Sequence, residues 1–119
     1  KYYETALKYE SDNFGIIRNI LLLYIDLNKY QEAAEKSAES IDLYPSQPVL
    51  YLLNGVSLNN LDKPNEAIVA LNDGIDYIID DNKMLSDYYK QLNIAYTKIG
   101  NTLKAQEFSK KADKLSLEK

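Results

Sequence analysis

The stretch that decides the fold is LNKYQEAA at residues 27–34, which returns 34 residues later as LDKPNEAI at residues 61–68. A weaker third copy, IGNTLKAQ, occupies residues 99–106. In each copy one amphipathic segment ends, a short polar turn follows, and a second amphipathic segment begins. The recurrence predicts a row of paired helices joined by one kind of turn.

Apolar residues recur at helical spacing along the whole chain, and no useful length alternates with the period of two that marks a strand. Pro45 and the run Asp80-Asp81-Asn82 interrupt this helical pattern. The first three predicted helices span Lys1–Glu10, Phe14–Leu27 and Tyr30–Leu43. The fourth begins after Ser46, with Pro48 in its first turn, and runs to about Leu61. The last three run from Pro64 to about Ile79, from Met84 to Ile99, and from the residue after Thr102 to about Leu117.

The ends of these segments carry residues suited to starting or stopping a helix. Asn28 and Gly100 follow two of the helices, where a left-handed residue is expected. Ser46 and Thr102 are predicted N-caps, and Pro64 suits a first helical turn, where a fixed backbone angle is favourable.

One repeated position holds only small residues, namely Ala6, Ser40, Gly74 and Ala112. A glycine inside a helix costs about 1 kcal/mol relative to alanine. Gly74 therefore predicts a neighbouring helix that passes too close for a larger side chain. A second small column, predicted to mark the close crossing within each helix pair, is Ala33, Ala67 and Ala105. Because the spacing grows to 38 residues between Ala67 and Ala105, about one helical turn is added around residues 80–85.

This period and residue order resemble the tetratricopeptide repeat family, whose signature is an aromatic residue, Leu-Gly, Tyr, and later Ala, an aromatic residue and Pro. The middle copy matches it at Tyr51, Asn54-Gly55, Leu58, Ala67, Leu71 and Gly74. The preceding copy matches at Tyr24, Ala33, Ser40 and Pro45. The last copy matches at Tyr89, Leu92, Tyr96, Ala105, Phe108 and Ala112, with Phe108 one residue off the usual aromatic place.

The resemblance implies an all-α fold, a right-handed α-α superhelix or solenoid of antiparallel helix pairs. Residues 1–13 would be the second helix of an incomplete repeat, and residues 14–47, 48–85 and 86–119 three full repeats, the middle one with a four-residue extension. The chain is then expected to be the C-terminal fragment of a larger repeat protein. The leading helix, lacking its pair mate, would expose an edge at Tyr2, Tyr3 and Leu7.

The composition narrows the function classes. A net charge of −4 and a pI near 4.8 argue against a nucleic-acid partner. Cysteine and histidine are both absent, which removes the common zinc sites and Cys or His catalysis. No apolar run reaches the length of a membrane span, so no membrane insertion is expected.

Asp80-Asp81 could be a metal or acid-base pair, but a solvated helix end is favoured because adjacent residues point apart. We expect no cofactor and no enzymatic activity.

A binding function is favoured instead, because stacked helix pairs form a concave face lined by the first helix of each pair. In proteins of this family that face takes extended peptides or partner helices. The partner-binding residues implied by the resemblance are Arg18, Leu22, Ile25, Leu52, Val56, Asn59, Lys90, Ile94 and Lys98, with Asp26, Asn60 and Thr97 beside them. An apolar floor with a polar rim suits an amphipathic helix or an apolar peptide.

A subset of the family instead clamps a C-terminal carboxylate with cationic and amide side chains. Those places correspond to Arg18, Leu22, Leu53, Asp87 and Gln91. Only one of them is cationic, so no such clamp is expected.

Two alternatives stay open. The apolar groove could be covered by upstream repeats or by a second copy of the chain, which would make this a structural or self-associating segment and a homo-oligomer. The charged last helix is interpreted as a polar cap rather than a basic docking surface, because acidic residues are interspersed with its lysines. An accessory role beside an upstream enzyme has no support in these residues. The Asn, Lys, Ile and Tyr content suggests a bacterial source, with either a cytoplasmic or an exported location.

Overall fold

The computed structural model describes residues 14–117, which form six α-helices and contain no strand. The predicted helix at residues 1–10, and the edge expected at Tyr2, Tyr3 and Leu7, lie outside the described residues. The helices are α1 (Phe14–Asp26), α2 (Tyr30–Leu43), α3 (Pro48–Asn60), α4 (Pro64–Gly74), α5 (Asn82–Lys98) and α6 (Thr102–Leu117), and a 3₁₀ turn, Ile75–Tyr77, follows α4.

The helices stack as antiparallel pairs, each packing against the element that precedes it and the one that follows it. In addition α1 contacts α3 and α3 contacts α5, whereas within residues 14–117 neither α2 with α4 nor α4 with α6 makes a contact of similar extent. The first helices of the pairs therefore form a closed inner layer and the second helices a more open outer layer. The predicted all-α right-handed superhelix of antiparallel helix pairs is confirmed.

The repeated turn has the same backbone in all three copies. Asn28, Asp62 and Gly100 adopt positive φ angles of 60°, 62° and 80°, as predicted for the left-handed residue that ends a helix. In each copy the next amide donates to a carbonyl five residues earlier, the pairs being Lys29 N to Tyr24 O at 2.7 Å, Lys63 N to Leu58 O at 2.8 Å and Asn101 N to Tyr96 O at 2.9 Å. A short polar sequence thus fixes the crossing of every pair.

Gly74 lies where α4 passes between α3 and α5. A Cβ atom built there would overlap Tyr51 Cβ and the Tyr88 hydroxyl, and would stand 2.6 Å from Tyr51 Cγ. This confirms the prediction that a neighbouring helix is too close for a larger side chain. The alanines of the other small column, Ala33, Ala67 and Ala105, are at most 7% exposed.

Two predicted caps are wrong. The residue before α3 is Gln47, not Ser46, and it makes no side-chain capping bond, because Pro48 already occupies the first helical turn. Before α6 the amide of Lys104 donates to Asn101 Oδ1 at 3.2 Å, so Asn101 takes the capping role assigned to Thr102.

The prediction that α4 continues to about Ile79 is also wrong. The α-helix stops at Gly74, a 3₁₀ turn follows, and Ile78 is extended with φ −72° and ψ 127°. Within that turn the Tyr77 ring stacks on Tyr51 with centroids 5.8 Å apart, a tertiary contact that helical periodicity does not reveal. The next helix, α5, has 17 residues where α1 and α3 have 13, and here the repeat spacing lengthens.

Candidate binding surface

The inner layer brings together the three helices on which the partner-binding residues were predicted. Arg18, Leu22 and Ile25 lie on α1, Leu52, Val56 and Asn59 on α3, and Lys90, Ile94 and Lys98 on α5. Because α1 contacts α3 and α3 contacts α5, the three helices that carry these residues adjoin one another.

Two of these residues are large apolar side chains that are exposed. Leu22 on α1 is 42% exposed and Ile94 on α5 is 39% exposed. Val56 on the intervening helix is half-buried, as is Ile25. The exposed apolar area is therefore greatest on the outer two helices of the layer.

Leu52 does not line the groove. It is only 8% exposed and belongs to a core cluster with Leu71, Tyr88 and Leu92, against which Val56 packs. Because α3 and α5 pack directly against each other, the Leu52 side chain is buried in the contact between them. The structure corrects the predicted lining at this residue.

Asn59 does not line the groove either. It is 2% exposed, and its Nδ2 donates to Gln91 O at 3.1 Å and to Gln91 Oε1 at 3.0 Å, which ties α3 to α5. Its Oδ1 is buried and accepts no hydrogen bond. The two hydrogen bonds from Asn59 to Gln91 fix the spacing of α3 and α5 at this point.

The rim is charged. Arg18 and Lys90 are exposed, and Lys98 Nζ lies 3.7 Å from Asp62 Oδ1 in the turn between α3 and α4. An exposed pair of this kind contributes at most about 1 kcal/mol to stability.

Three of the five positions that correspond to a carboxylate clamp hold side chains engaged in other contacts. Leu53 is buried in the core beside α1. Asp87 pairs with Lys83 at 2.9 Å, and Gln91 is engaged by Asn59. Of these five places Arg18 alone is cationic.

The paired aspartates before α5 have unlike roles. Asp81 is the N-cap of α5, accepting the Met84 amide at 2.9 Å, while Asp80 adopts a positive φ of 49°. No group of three metal-ligating side chains converges among residues 14–117. The helix-end interpretation of this pair therefore has a specific structural basis in the Asp81 cap.

Tyr88 is the main residue that the repeat alignment overlooked. The alignment selects Tyr89, yet Tyr88 is fully buried and its hydroxyl donates to Pro48 O at 2.6 Å. Burial raises the pKa of the Tyr88 hydroxyl well above its usual range, and the nearby Tyr51 adds to the effect. Gly74 was the available signal, since its missing side chain makes room for this ring.

Within residues 14–117 every helix is too short or too polar to cross a membrane.

The comparisons with known proteins support this architecture. The solved structure of MamA from AMB-1, a TPR-type helical solenoid, superposes with a TM-score of 0.79 at 22% identity, over 98% of this chain and 67% of that one. MamA from MSR-1 superposes with a TM-score of 0.77 at 22% identity, over 98% of this chain and 64% of that one. This chain thus spans about two thirds of the proteins it matches. No family model and no curated protein sequence matches it.

Proposed function

We propose that this chain is a tetratricopeptide-type repeat module that acts as a non-catalytic protein-interaction scaffold. It binds an apolar peptide or an amphipathic helix on the inner face of α1, α3 and α5. The observation that carries the proposal is the pair of exposed apolar side chains, Leu22 and Ile94, which flank the half-buried Val56 on three adjoining helices. A partner helix laid across the layer would bury all three.

The charged rim sets the orientation of the partner. Arg18 on α1 and Lys90 and Lys98 on α5 are exposed, so acidic residues beside the apolar face of a partner segment can pair with them. Asp26 on α1 is exposed as well and Lys98 is paired with Asp62, so the inner face carries charges of both signs.

The test replaces residues that are exposed, so that the fold is kept. Leu22→Asp combined with Ile94→Asp introduces charge into the groove, and Leu103→Asp on α6, where the side chain is 82% exposed, is the matched control. We expect the double variant to lose partners captured by the parent chain, measured by quantitative mass spectrometry, while the control retains them. Equal capture by all three chains, with unchanged circular dichroism, would refute the groove assignment.

A second candidate function is self-association through the same apolar face, since a second copy could cover Leu22 and Ile94. Sedimentation velocity over a hundredfold range of concentration separates the two. A concentration-dependent increase in mass that the Leu22→Asp, Ile94→Asp variant abolishes supports self-association, and a strict monomer rejects it.

A further inference from the structure

A cleft of about 420 Å³ opens on the outer side of the solenoid, between α2 and α4 and above α3. It is separate from the inner face, because it lies where the second helices fail to close on each other. Its floor is apolar, with Ile41, Tyr51 and Leu58, and Asn54 lines it while using its Nδ2 to bond Ala34 O and Ser37 Oγ.

The rim of this outer cleft is acidic. Glu66 and Asp73 line it from α4, both exposed, and none of its lining residues is basic. Burial raises the pKa of the Tyr51 hydroxyl, and Tyr77, Asp73 and Asp42 add to the effect in that order. Val69, 61% exposed, adds an apolar edge between the two carboxylates.

The next repeat shows what fills the equivalent place. There the Phe108 ring stacks on Tyr96 with centroids 5.7 Å apart and lies tilted against Tyr89 at 5.8 Å. Lys111 Nζ lies 5.2 Å from the Phe108 centroid and 5.7 Å from that of Tyr89. An aromatic side chain and a cation one turn later, both on α6, thus pack over Tyr89 and Tyr96 of α5.

The two sites correspond residue by residue at the 38-residue spacing. Ala70 stands where Phe108 stands in the next repeat, Asp73 where Lys111 stands, and Glu66 where Lys104 stands. Tyr51 and Leu58 take the places of Tyr89 and Tyr96, so the apolar floor is kept. The cleft therefore keeps a floor at Leu58 and Tyr51, although Tyr77 stacks on the Tyr51 ring. It has the small side chain of Ala70 where the next repeat has Phe108, and acidic groups where that repeat has lysines.

From this we infer that the outer cleft between α2 and α4 is a second docking site, for a helical segment of a partner protein that presents an aromatic or large aliphatic side chain with lysine or arginine about one turn away. The apolar side chain enters over Ile41 and Leu58, beside the Tyr51 ring on which Tyr77 stacks, and the cations pair with Glu66 and Asp73. The partner supplies what Phe108, Lys104 and Lys111 supply within the chain. The site is independent of the inner face and does not rest on the function proposed above.

The probe is a capped alanine–glutamine helical peptide carrying one phenylalanine, with one lysine four residues before it and another three residues after it. It is titrated into the ¹⁵N-labelled full chain and followed by NMR. We expect saturable amide shifts at Ala38, Ala70 and Asp73, and none at Ile94 on the inner face. A peptide with alanine in place of its phenylalanine should bind at least tenfold more weakly.

Two variants of the chain decide the assignment. Ala70→Phe places the missing ring in the cleft and should weaken binding at least tenfold. Should that variant fail to fold, the exposed double change Glu66→Lys, Asp73→Lys replaces it and should have the same effect through charge repulsion. The Leu22→Asp, Ile94→Asp variant should bind the probe as the parent chain does.

The inference is overturned if no saturable shift occurs up to about 1 mM peptide. It is likewise overturned if the shifts map to the inner face, or if the folded Ala70→Phe or Glu66→Lys, Asp73→Lys variants bind with unchanged affinity. Failure here would leave the inner-face proposal standing, because the two sites share no side chain that either experiment changes.

Discussion

Tyr88 and Gly74 form one structural unit: the Tyr88 hydroxyl occupies the space that a side chain at position 74 would need. The Tyr88 side chain extends from α5 and passes beside α4. Its hydroxyl donates a hydrogen bond to Pro48 O, at the start of α3. The packing of α3, α4 and α5 therefore depends on a glycine and a tyrosine that are 14 residues apart.

Gly74→Ala should destabilise the chain although alanine favours helix by about 1 kcal/mol. The added Cβ would overlap Tyr51 Cβ, which the backbone of α3 holds in place. Overpacking of this kind typically costs about 1–3 kcal/mol. Chemical unfolding followed by circular dichroism measures the change.

Gly55→Ala is the matched control for this prediction. Its added Cβ would meet Leu71 Cδ2 at 2.7 Å, the far end of a flexible side chain that can turn aside. We expect the Gly74 change to lower the free energy of unfolding more than the Gly55 change. The reverse order would show that the close crossing is not at Gly74.

The second prediction concerns alkaline pH. Because burial raises the pKa of Tyr88 in the folded chain above the usual tyrosine value of 10.0, the unfolded chain releases this proton first as the pH rises. The stabilisation is complete below about pH 10 and is lost progressively above it. Urea unfolding at a series of pH values measures this loss.

Two substitutions isolate the contribution of this hydroxyl. Tyr88→Phe should lower stability by about 1 kcal/mol at neutral pH, because Pro48 O loses its donor, and should flatten the decline above pH 10. Tyr24→Phe, at a half-buried position on α1, should leave the decline in place. An equally steep decline in the Tyr88→Phe chain would contradict the assignment.

The third prediction tests the aspartates before α5. Asp81→Ala removes the acceptor of the Met84 amide and should cost about 1 kcal/mol. Asp80→Gly should be neutral or slightly stabilising, because glycine adopts the positive φ of 49° without strain. Thermal unfolding measures both, and adding millimolar calcium should leave the midpoint of the parent chain unchanged. A calcium-dependent increase in the midpoint would show that the pair binds metal.

Much of the fold was predictable because its determinants are local and repeated. The left-handed residues Asn28 and Gly100 and the small residue Gly74 each report a backbone geometry directly. The early end of α4 was not predictable, because it depends on Tyr77 stacking against Tyr51 from another helix.

The candidate site was predictable in its helices but not in each side chain. Repeat position places Leu52 and Asn59 on the inner face, yet it does not report how closely α5 approaches α3. That approach buries Leu52 in the core and joins Asn59 to Gln91. Leu22 and Ile94 stay exposed because they lie on the outer two helices of the layer.

The outer cleft was overlooked for a related reason. The sequence shows Phe108 one residue away from the usual aromatic place, which alone looks like an irregular repeat. Only its packing over Tyr89 and Tyr96 shows that this ring covers a groove. The alanine at position 70 then stands out as the residue that leaves the same groove open one repeat earlier.

Successive first helices adjoin and successive second helices do not, and cysteine cross-linking can measure this difference because the chain has no native cysteine. A disulfide requires Cα atoms within about 7 Å. We expect Asn59→Cys with Gln91→Cys, joining α3 to α5, to form a disulfide readily under mild oxidation, and Ala38→Cys with Val69→Cys, across the outer cleft, not to form one. Efficient cross-linking of the second pair without the first would place the closed layer on the opposite side and would contradict both proposed binding surfaces.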